Sequence, residues 1–372
     1  MWADVIPEAE GDMVFQMNED TSGTLNLVGA SLAEIEALVA ELGEARFRAR
    51  QLFAGIYRRR LRGWEMFTDL ARPLREKLGQ RAAIAYPEVV SVFQSADGTR
   101  RYLFEVGGSH RIESVFIPEE KRDTACISTQ AGCAVGCLFC ATAKVPRRRN
   151  LSAGEIIGQI LALQADRDSG PRRFNIVLMG MGEPLLNYDN VMKALQLMTD
   201  PLGMAVSHRR ITLSTSGIVP GLERLAQEKL IPNLAISLNA TTDAVRDRLI
   251  PINRKWNIAA LLDACSRFPL EPRRRITFEY VLIEGVNDFP EDALRLVRLL
   301  KGAKKKVNLI PLNADPLIPL KPPSEEGVLA FQRILLDHHL TAYIRRPRGE
   351  DVSAACGMLA ARDLPRAILK DL

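Results

Sequence analysis

The 372-residue sequence predicts an α/β fold: a partial (β/α)6, TIM-like barrel carrying a small N-terminal helical domain. Three observations carry this. From residue 124 onward, six β-rich apolar runs alternate with helical patterns, which calls for a parallel sheet with helical crossovers. Residues 24–86 carry helical periodicity with arginines threaded through it. Closely spaced cysteines, glycines and hydroxyls fall at the ends of the predicted strands, the edge where such barrels carry their chemistry.

Taken in order, residues 1–23 are acidic, polar and without periodicity, and read as a loose tail. Ser31-x-x-Glu34 forms a capping box ahead of Ile35, Leu38, Val39 and Leu42, so a helix starts there. A second helix, from about Arg46 to Arg60, intersperses Phe47, Leu52, Phe53, Ile56 and Tyr57 with arginines; 24–86 is therefore a helical domain with one basic face. Residues 87–123 read as a β-rich extension, with strands at Val89–Phe93, Arg101–Val106 and Ile112–Ile117 and an Asp97-Gly98 turn. The barrel occupies 124–345, with strands at Thr124–Thr129, Asn175–Met179, Arg210–Ser214, Leu234–Leu238, Ile276–Ile283 and Val307–Leu312. Its first helix opens on a second capping box, Ser152-x-x-Glu155. A C-terminal segment, 346–372, carries Cys356.

Composition bounds the function class. With 47% hydrophobic and 26% charged residues, the chain is an ordinary globular protein. It has no apolar run of about 18 residues, which excludes a spanning helix. Met1-Trp2-Ala3-Asp4 opens no secretory signal, so a cytoplasmic location is expected. The net charge is +5, but residues 1–30 hold six acids and no Lys or Arg, leaving the remainder at +11. Basic clusters recur at Arg58–Arg60, Arg147–Arg149, Arg172-Arg173, Arg209-Arg210, Arg273–Arg275, Lys304–Lys306 and Arg345-Arg346. Charge alone fits solvated faces or a phosphate-tracking surface.

Six cysteines are present, at 126, 133, 137, 140, 265 and 356. In a reducing compartment the clustered ones read as metal-binding. Cys133-x3-Cys137-x2-Cys140 sits in a loop straight after a strand, with no histidine nearby. Three thiolates can hold a [4Fe–4S] cluster with one iron left open, and an open iron can bind an amino and a carboxylate group of S-adenosylmethionine and pass it an electron. The competing reading is a tetrahedral zinc site completed by Cys126. Cys265 reads as a small core residue on an amphipathic helix, and Cys126 and Cys356, taken alone, as buried thiols.

Gly180-Met181-Gly182-Glu183-Pro184 directly follows a strand. The glycines allow close backbone approach and the carboxylate can accept from an ammonium group, although a Gly-x-Gly after a strand is also an ordinary turn. Ser214–Gly217, Ser237-Leu238-Asn239 and Asn313 lie at later strand ends. Each alone reads as a cap or turn; together on one edge they favour a ligand with a ribose and a carboxylate.

Several stretches then occur in one recognisable order: Gly43–Gln51, Ile112–Pro118, Cys126–Cys133, Gly180–Asn187, Glu279–Ile283 and Ala354–Gly357. Through them the chain resembles the RlmN/Cfr family of radical S-adenosylmethionine RNA adenine methyltransferases, over nearly its whole length from about residue 26. The resemblance implies a radical SAM barrel, a [4Fe–4S] cluster on Cys133, Cys137 and Cys140, and two S-adenosylmethionine molecules per turnover. It implies that Gly182, Glu183, Ser214, Ser237, Leu238, Asn239 and Asn313 contact S-adenosylmethionine. It also implies that Cys356 is first methylated and then bonds through that carbon to the base, with Cys126 as its resolving partner and Glu113 as proton acceptor. The implied partners are 23S rRNA at the peptidyl-transferase centre, tRNA at adenosine 37, and an electron donor such as flavodoxin or ferredoxin. The implied state is a cytoplasmic monomer. An adenine must leave its stack to be reached, and the basic N-terminal domain would hold RNA through phosphates.

The N-terminal segment and Arg149–Glu155 are similar to the carbon-2 branch of the family; carbon-8 methylation of the same rRNA adenine is the near rival. A non-catalytic, zinc-stabilised RNA-binding protein is the rival from another class. Two positions depart from the family pattern: Asn239 stands where many relatives have His, and Ala143 where Gly is common.

Overall fold

A computed structural model of the chain describes residues 24–146, 148–165, 173–302 and 305–361. The acidic tail 1–23, Arg147, Arg172, Lys304 and residues 362–372 of the C-terminal segment lie outside the described residues. The described residues form two compact units.

The first unit comprises the described residues as far as Pro87 together with Ser152–Ala162 and Tyr188–Ala205. The two latter segments are ones that the sequence pattern alone assigns to 124–345. Strands β1 (Leu25–Asn26) and β2 (Ala82–Ala83) pair in parallel and bracket three helices: α1 (Leu32–Glu41), α2 (Phe47–Tyr57) and α3 (Arg72–Arg81). The capping box at α1 is formed: Glu34 N–H donates to the Ser31 hydroxyl at 3.3 Å, and Ser31 N–H to the Glu34 carboxylate at 2.7 Å. Ile35, Leu38 and Val39 of α1 and Ala49, Leu52, Phe53 and Ile56 of α2 are buried. Arg46, Arg50, Arg58, Arg59 and Arg60 stay exposed, so the basic face read from the sequence is present. Helix α3 has no clear sequence signal because only Leu74 and Leu78 of its charged run are buried, one i,i+4 pair. Most of α4 (Ala153–Ala165), with the Ser152–Glu155 capping box in place, and all of α5 (Tyr188–Thr199) complete the unit. Glu34 also accepts from Lys193 of α5 at 2.7 Å.

The second unit is built on one ten-stranded sheet. Its strands are β3 (Glu88–Gln94), β4 (Arg100–Val106), β5 (His110–Pro118), β6 (Arg122–Cys126), β9 (Arg173–Leu178), β10 (Ile211–Thr215), β11 (Asn233–Ser237), β12 (Ile276–Leu282), β13 (Lys305–Pro311) and β14 (Ala342–Ile344). Strands β6 and β9 to β14 are parallel and lie side by side in chain order. Helices α6 (Val219–Leu225), α7 (Asp243–Leu249), α8 (Ile258–Arg267), α9 (Pro290–Leu299) and α10 (Glu325–Asp337) fall between successive strands from β10 onward. Strands β5, β4 and β3 continue the sheet antiparallel beyond β6, so the β-rich 87–123 segment extends the same sheet. Strand β14 escapes sequence reading because three residues give no periodicity. The remaining pair, β7 (Gln130–Ala131) and β8 (Arg149–Asn150), is antiparallel.

Along the parallel strands buried apolar residues recur at every second position, as in Ile211 and Leu213, Leu234 and Ile236, Phe278 and Tyr280, and Val307 and Leu309. Their C-terminal ends, Cys126, Leu178, Thr215, Ser237, Leu282 and Pro311, share one edge. Among the described residues no helix is long and apolar enough to cross a membrane.

Ser31→Ala removes the α1 cap and is expected to destabilise the first unit by about 1 kcal/mol. A urea unfolding curve checks this; an unchanged midpoint would mean that the cap contributes nothing.

Candidate active site

The cysteine loop is set by the chain leaving β6. β7 and β8 close its base, and Gly132 and Gly136 adopt positive φ of 71° and 76° within it. Cys133, Cys137 and Cys140 carry free thiols lining one cavity of about 160 Å³. Burial pushes Cys133 up to about 12, and the neighbouring Cys140 adds to the rise. Cys137 is driven well above the ordinary thiol range by burial, then by Cys133 and Cys140. Cys140 is raised by burial as well. Three buried thiols each resist ionisation beside the others, so ionising all three asks for compensating positive charge between them. An iron–sulfur cluster supplies that charge to separate thiolates, one iron each. Among the described residues no three His, Cys, Asp or Glu side chains close on a single ion. Cys126 does not line this cavity; it lines a second one, which Cys140 also borders.

Across the cavity, the backbone after β9 is clamped to the β6 exit. Gly180 N–H donates to Ile127 O at 3.0 Å, Met181 N–H to Ser128 Oγ at 2.8 Å, and Glu183 N–H to Gln130 Oε1 at 2.8 Å. A Cβ on Gly182, where φ is +103°, would lie 2.6 Å from Gln130 Cβ and 2.7 Å from its backbone nitrogen. Glycine is therefore required there by both conformation and space. The Glu183 carboxylate accepts from Leu185 N–H at 3.1 Å, and from Ser216 N–H and hydroxyl at 2.7 and 2.8 Å. Burial raises its pKa against those bonds, so a ligand ammonium would be the natural counter-charge.

Ser214, Ser237, Asn239 and Asn313 line the same cavity. One residue ties the first two together. Glu279 of β12 accepts from Ser214 Oγ at 2.8 Å and Ser237 Oγ at 3.5 Å, and lies 3.8 Å from the Arg345 guanidinium. Glu279 stands in one of the stretches that carry the family resemblance, but nothing in the sequence assigns it a role at this site. Asn239 adopts φ of +55°, and its side-chain oxygen accepts from Val281 N–H at 2.8 Å. Asn and Gly suit that backbone conformation best, and the amide braces the turn.

Cys356 lines this cavity and also a second, of about 100 Å³, lined by Cys126, Arg345, Arg346 and Arg348. Asn313 Nδ2 donates to the Cys356 carbonyl at 2.9 Å, Ala141 N–H to Gly357 O at 2.7 Å, and Thr142 Oγ1 to Leu359 O at 2.6 Å. The Cys356 segment is thereby fastened to the cysteine loop. Burial pushes the Cys126 thiol up to about 12, and Cys356 adds to the rise, so the two sulfurs feel one another. Cys265 is a buried thiol on α8, as its sequence context predicts.

Two residues expected at the site line neither cavity. Leu238 is fully buried; its carbonyl accepts from Arg246 and its N–H donates to Glu279 O. Glu113 lies in β5, ion-paired to Arg101 and accepting from Ala360 and Ala361 N–H at 2.8 and 3.1 Å. Arg101 Nε in turn donates to Val352 O at 2.6 Å. The buried pair grips both ends of the Cys356 segment, a role invisible until β4 and β5 are paired. Burial raises the Glu113 pKa against the pull of Arg101.

Comparison with known proteins adds to this geometry. Residues 127–300 match the Radical SAM superfamily, and residues 25–84 the ribosomal RNA large subunit methyltransferase N-terminal domain. A "Dual-specificity RNA methyltransferase RlmN" of Syntrophus aciditrophicus is 50% identical over 340 residues, covering 91% of this chain and 97% of that protein. Its namesake from Geobacter sulfurreducens is 49% identical over 91% of this chain and 92% of its own. The crystal structure of a radical SAM methyltransferase from Sphaerobacter thermophilus superposes with a TM-score of 0.87 at 43% identity, covering 91% of this chain and 99% of that one.

Cys137→Ala is expected to abolish stoichiometric iron and acid-labile sulfide after anaerobic reconstitution. Full retention of both would remove Cys137 from the ligand set.

Proposed function

The chain belongs to the RlmN family of dual-specificity RNA methyltransferases, and on that premise we propose that it methylates carbon 2 of an adenosine in 23S rRNA and of adenosine 37 in tRNAs through a methyl group carried on Cys356. The observation that carries this reading is Cys356 itself. It borders the cavity of the cysteine loop on one side and the cavity of Cys126 on the other. A thiol so situated can take a carbon unit from one cavity and deliver it in the other.

In this reading Cys133, Cys137 and Cys140 hold a [4Fe–4S] cluster, Glu183 receives the amino group of S-adenosylmethionine, and Gly182 gives it backbone room. Ser214, Ser237, Asn239 and Asn313 border the rest of that cofactor. When bound, cluster and cofactor together supply an electrophilic methyl group and then a carbon radical able to take a hydrogen atom. Carbon 2 of adenine is itself electrophilic and cannot attack a methyl sulfonium, which is why the chain needs a sulfur of its own as carrier. Asn313, Ala141 and Thr142 keep the Cys356 segment in reach by holding its backbone. Cys126, as thiolate, then attacks the Cys356 sulfur; an S–S bond forms, the bond from that sulfur to the CH2 borne by the base breaks, its electron pair takes up a proton to give the methyl group, and the methylated adenine leaves. Glu113 is the residue that the family resemblance offers for removal of the ring proton. Its carboxylate is engaged by Arg101 and by Ala360 and Ala361 N–H, so its availability as a base is coupled to the hold on the Cys356 segment.

Exposed Arg50 of α2 and the flanking Arg46, Arg58, Arg59 and Arg60 support phosphate contacts with the RNA. A flavodoxin- or ferredoxin-type donor supplies the electron, and the enzyme acts as a cytoplasmic monomer.

Nucleoside mass spectrometry of rRNA and tRNA from cells lacking the gene is expected to find 2-methyladenosine gone. Loss of 8-methyladenosine instead would transfer the reading to carbon-8 chemistry. Cys126→Ala is expected to accumulate an RNA cross-link on Cys356, seen as a shifted band sensitive to ribonuclease; full turnover with no cross-link would take Cys126 out of the reaction.

A further inference from the structure

Arg246, on α7, is the largest side chain that is fully buried among the described residues. An isolated guanidinium in that position is costly unless its donors are satisfied. They are satisfied by one neighbourhood. Nε donates to Leu238 O at 3.0 Å, and Nη2 to Ser216 O at 2.7 Å and Ser237 O at 3.1 Å. Nη1 donates to Asn253 Oδ1 at 2.9 Å. Arg246 therefore pins the ends of two adjacent parallel strands, β10 and β11, at the residues that border the cofactor cavity.

The acids nearby do not take this charge directly. Asp243 and Asp247 instead accept from Asn253 Nδ2 at 3.0 and 2.6 Å. The other end of α7 touches the cysteine loop, where Leu138 N–H donates to Leu249 O at 2.9 Å. One helix thus joins the cysteine loop to both strand ends, and of its two buried residues, Arg246 and Leu249, the first carries a positive charge.

We propose that Arg246 is a positioning residue of the cofactor site: its fork fixes the Ser216 and Ser237 strand ends against the cysteine loop, and its charge favours the reduced form of the cluster held there. The inference rests on the reading of this cavity as the S-adenosylmethionine site. A cluster bound by three thiolates becomes more negative on reduction, and net charge and nearby dipoles set such potentials. A cation fixed in a dry interior acts strongly on that difference. Lysine keeps the charge and loses the planar fork; glutamine loses the charge.

The test uses the anaerobically reconstituted holoenzyme and two readouts: the Kd of S-adenosylmethionine by equilibrium dialysis, and the cluster midpoint potential by a redox titration followed by electron paramagnetic resonance. Arg246→Lys is expected to weaken S-adenosylmethionine about tenfold while leaving the potential where it is. Arg246→Gln is expected to weaken binding similarly and also to lower the reduced-to-oxidised ratio at a fixed potential about tenfold, a shift of about 59 mV to the negative for one electron. Unchanged affinity in Arg246→Lys overturns the positioning role, and an unchanged potential in Arg246→Gln overturns the electrostatic one. Asn253→Ala frees Nη1 and leaves the cation in place. It is expected to loosen S-adenosylmethionine without moving the potential, and wild-type affinity there counts against the fork even if Arg246→Gln does not fold. Should Arg246→Gln not fold, a potential in Arg246→Lys displaced as far as 59 mV would overturn the electrostatic role. Wild-type enzyme that binds no S-adenosylmethionine would instead defeat the reading of the cavity.

Discussion

The site depends on the parallel pairing of β6 and β9 to β13. In parallel pairing every strand points the same way, so residues as far apart in the chain as Cys126 and Asn313 finish on one edge. The hydrogen-bond ladder fixes the register: Ser214 stands opposite Ala235, and Ser237 opposite Glu279. A slip of one residue would turn Glu279 to the other face of the sheet and break its bonds to both serines. The apolar strands set that register by burying one continuous core, so the hydrophobic pattern indirectly aims the polar side chains.

Burial of charge is the second theme. Glu113 with Arg101, Glu279 with Arg345, Glu183 and Arg246 all lie in the second unit with little or partial access to water. Desolvation opposes each of them; oriented donors or acceptors compensate Glu183 and Arg246, and an ion-pair partner with further hydrogen bonds compensates Glu113 and Glu279. Glu183 is held by N–H groups and a hydroxyl, Arg246 by carbonyls. Replacing such groups with apolar ones can leave stability intact, so what they add is the placement of their neighbours. The Arg101–Glu113 pair illustrates this: it grips Val352, Ala360 and Ala361, on both sides of Cys356.

In the Cys356 segment Ala354, Ala355, Met358 and Leu359 are buried, while Cys356 itself is only half-buried. Polar contacts to Asn313, Ala141 and Thr142 decide where the thiol sits, and Gly357 at φ +84° lets the backbone pass Phe139, whose carbonyl would be 3.2 Å from a Cβ there. Contacts of this kind open more easily than a packed core.

The sequence by itself determined the alternation of strands and helices, both capping boxes, the cysteine loop and the glycine–glutamate turn. These are local matters, written in periodicity, in cap residues three apart and in close cysteine spacing. Motif order also marked Cys126 and Cys356 as more than core thiols. Only the tertiary structure decided that β3 to β5 extend the barrel sheet, that Leu238 turns into the core, that Glu113 grips the Cys356 segment, and that Glu279 and Arg246 organise the strand ends. Those facts follow from which strands pair and in what register, and a buried acid or arginine inside an apolar run shows its purpose only when the carbonyls and hydroxyls it binds, distant in the chain, are brought beside it.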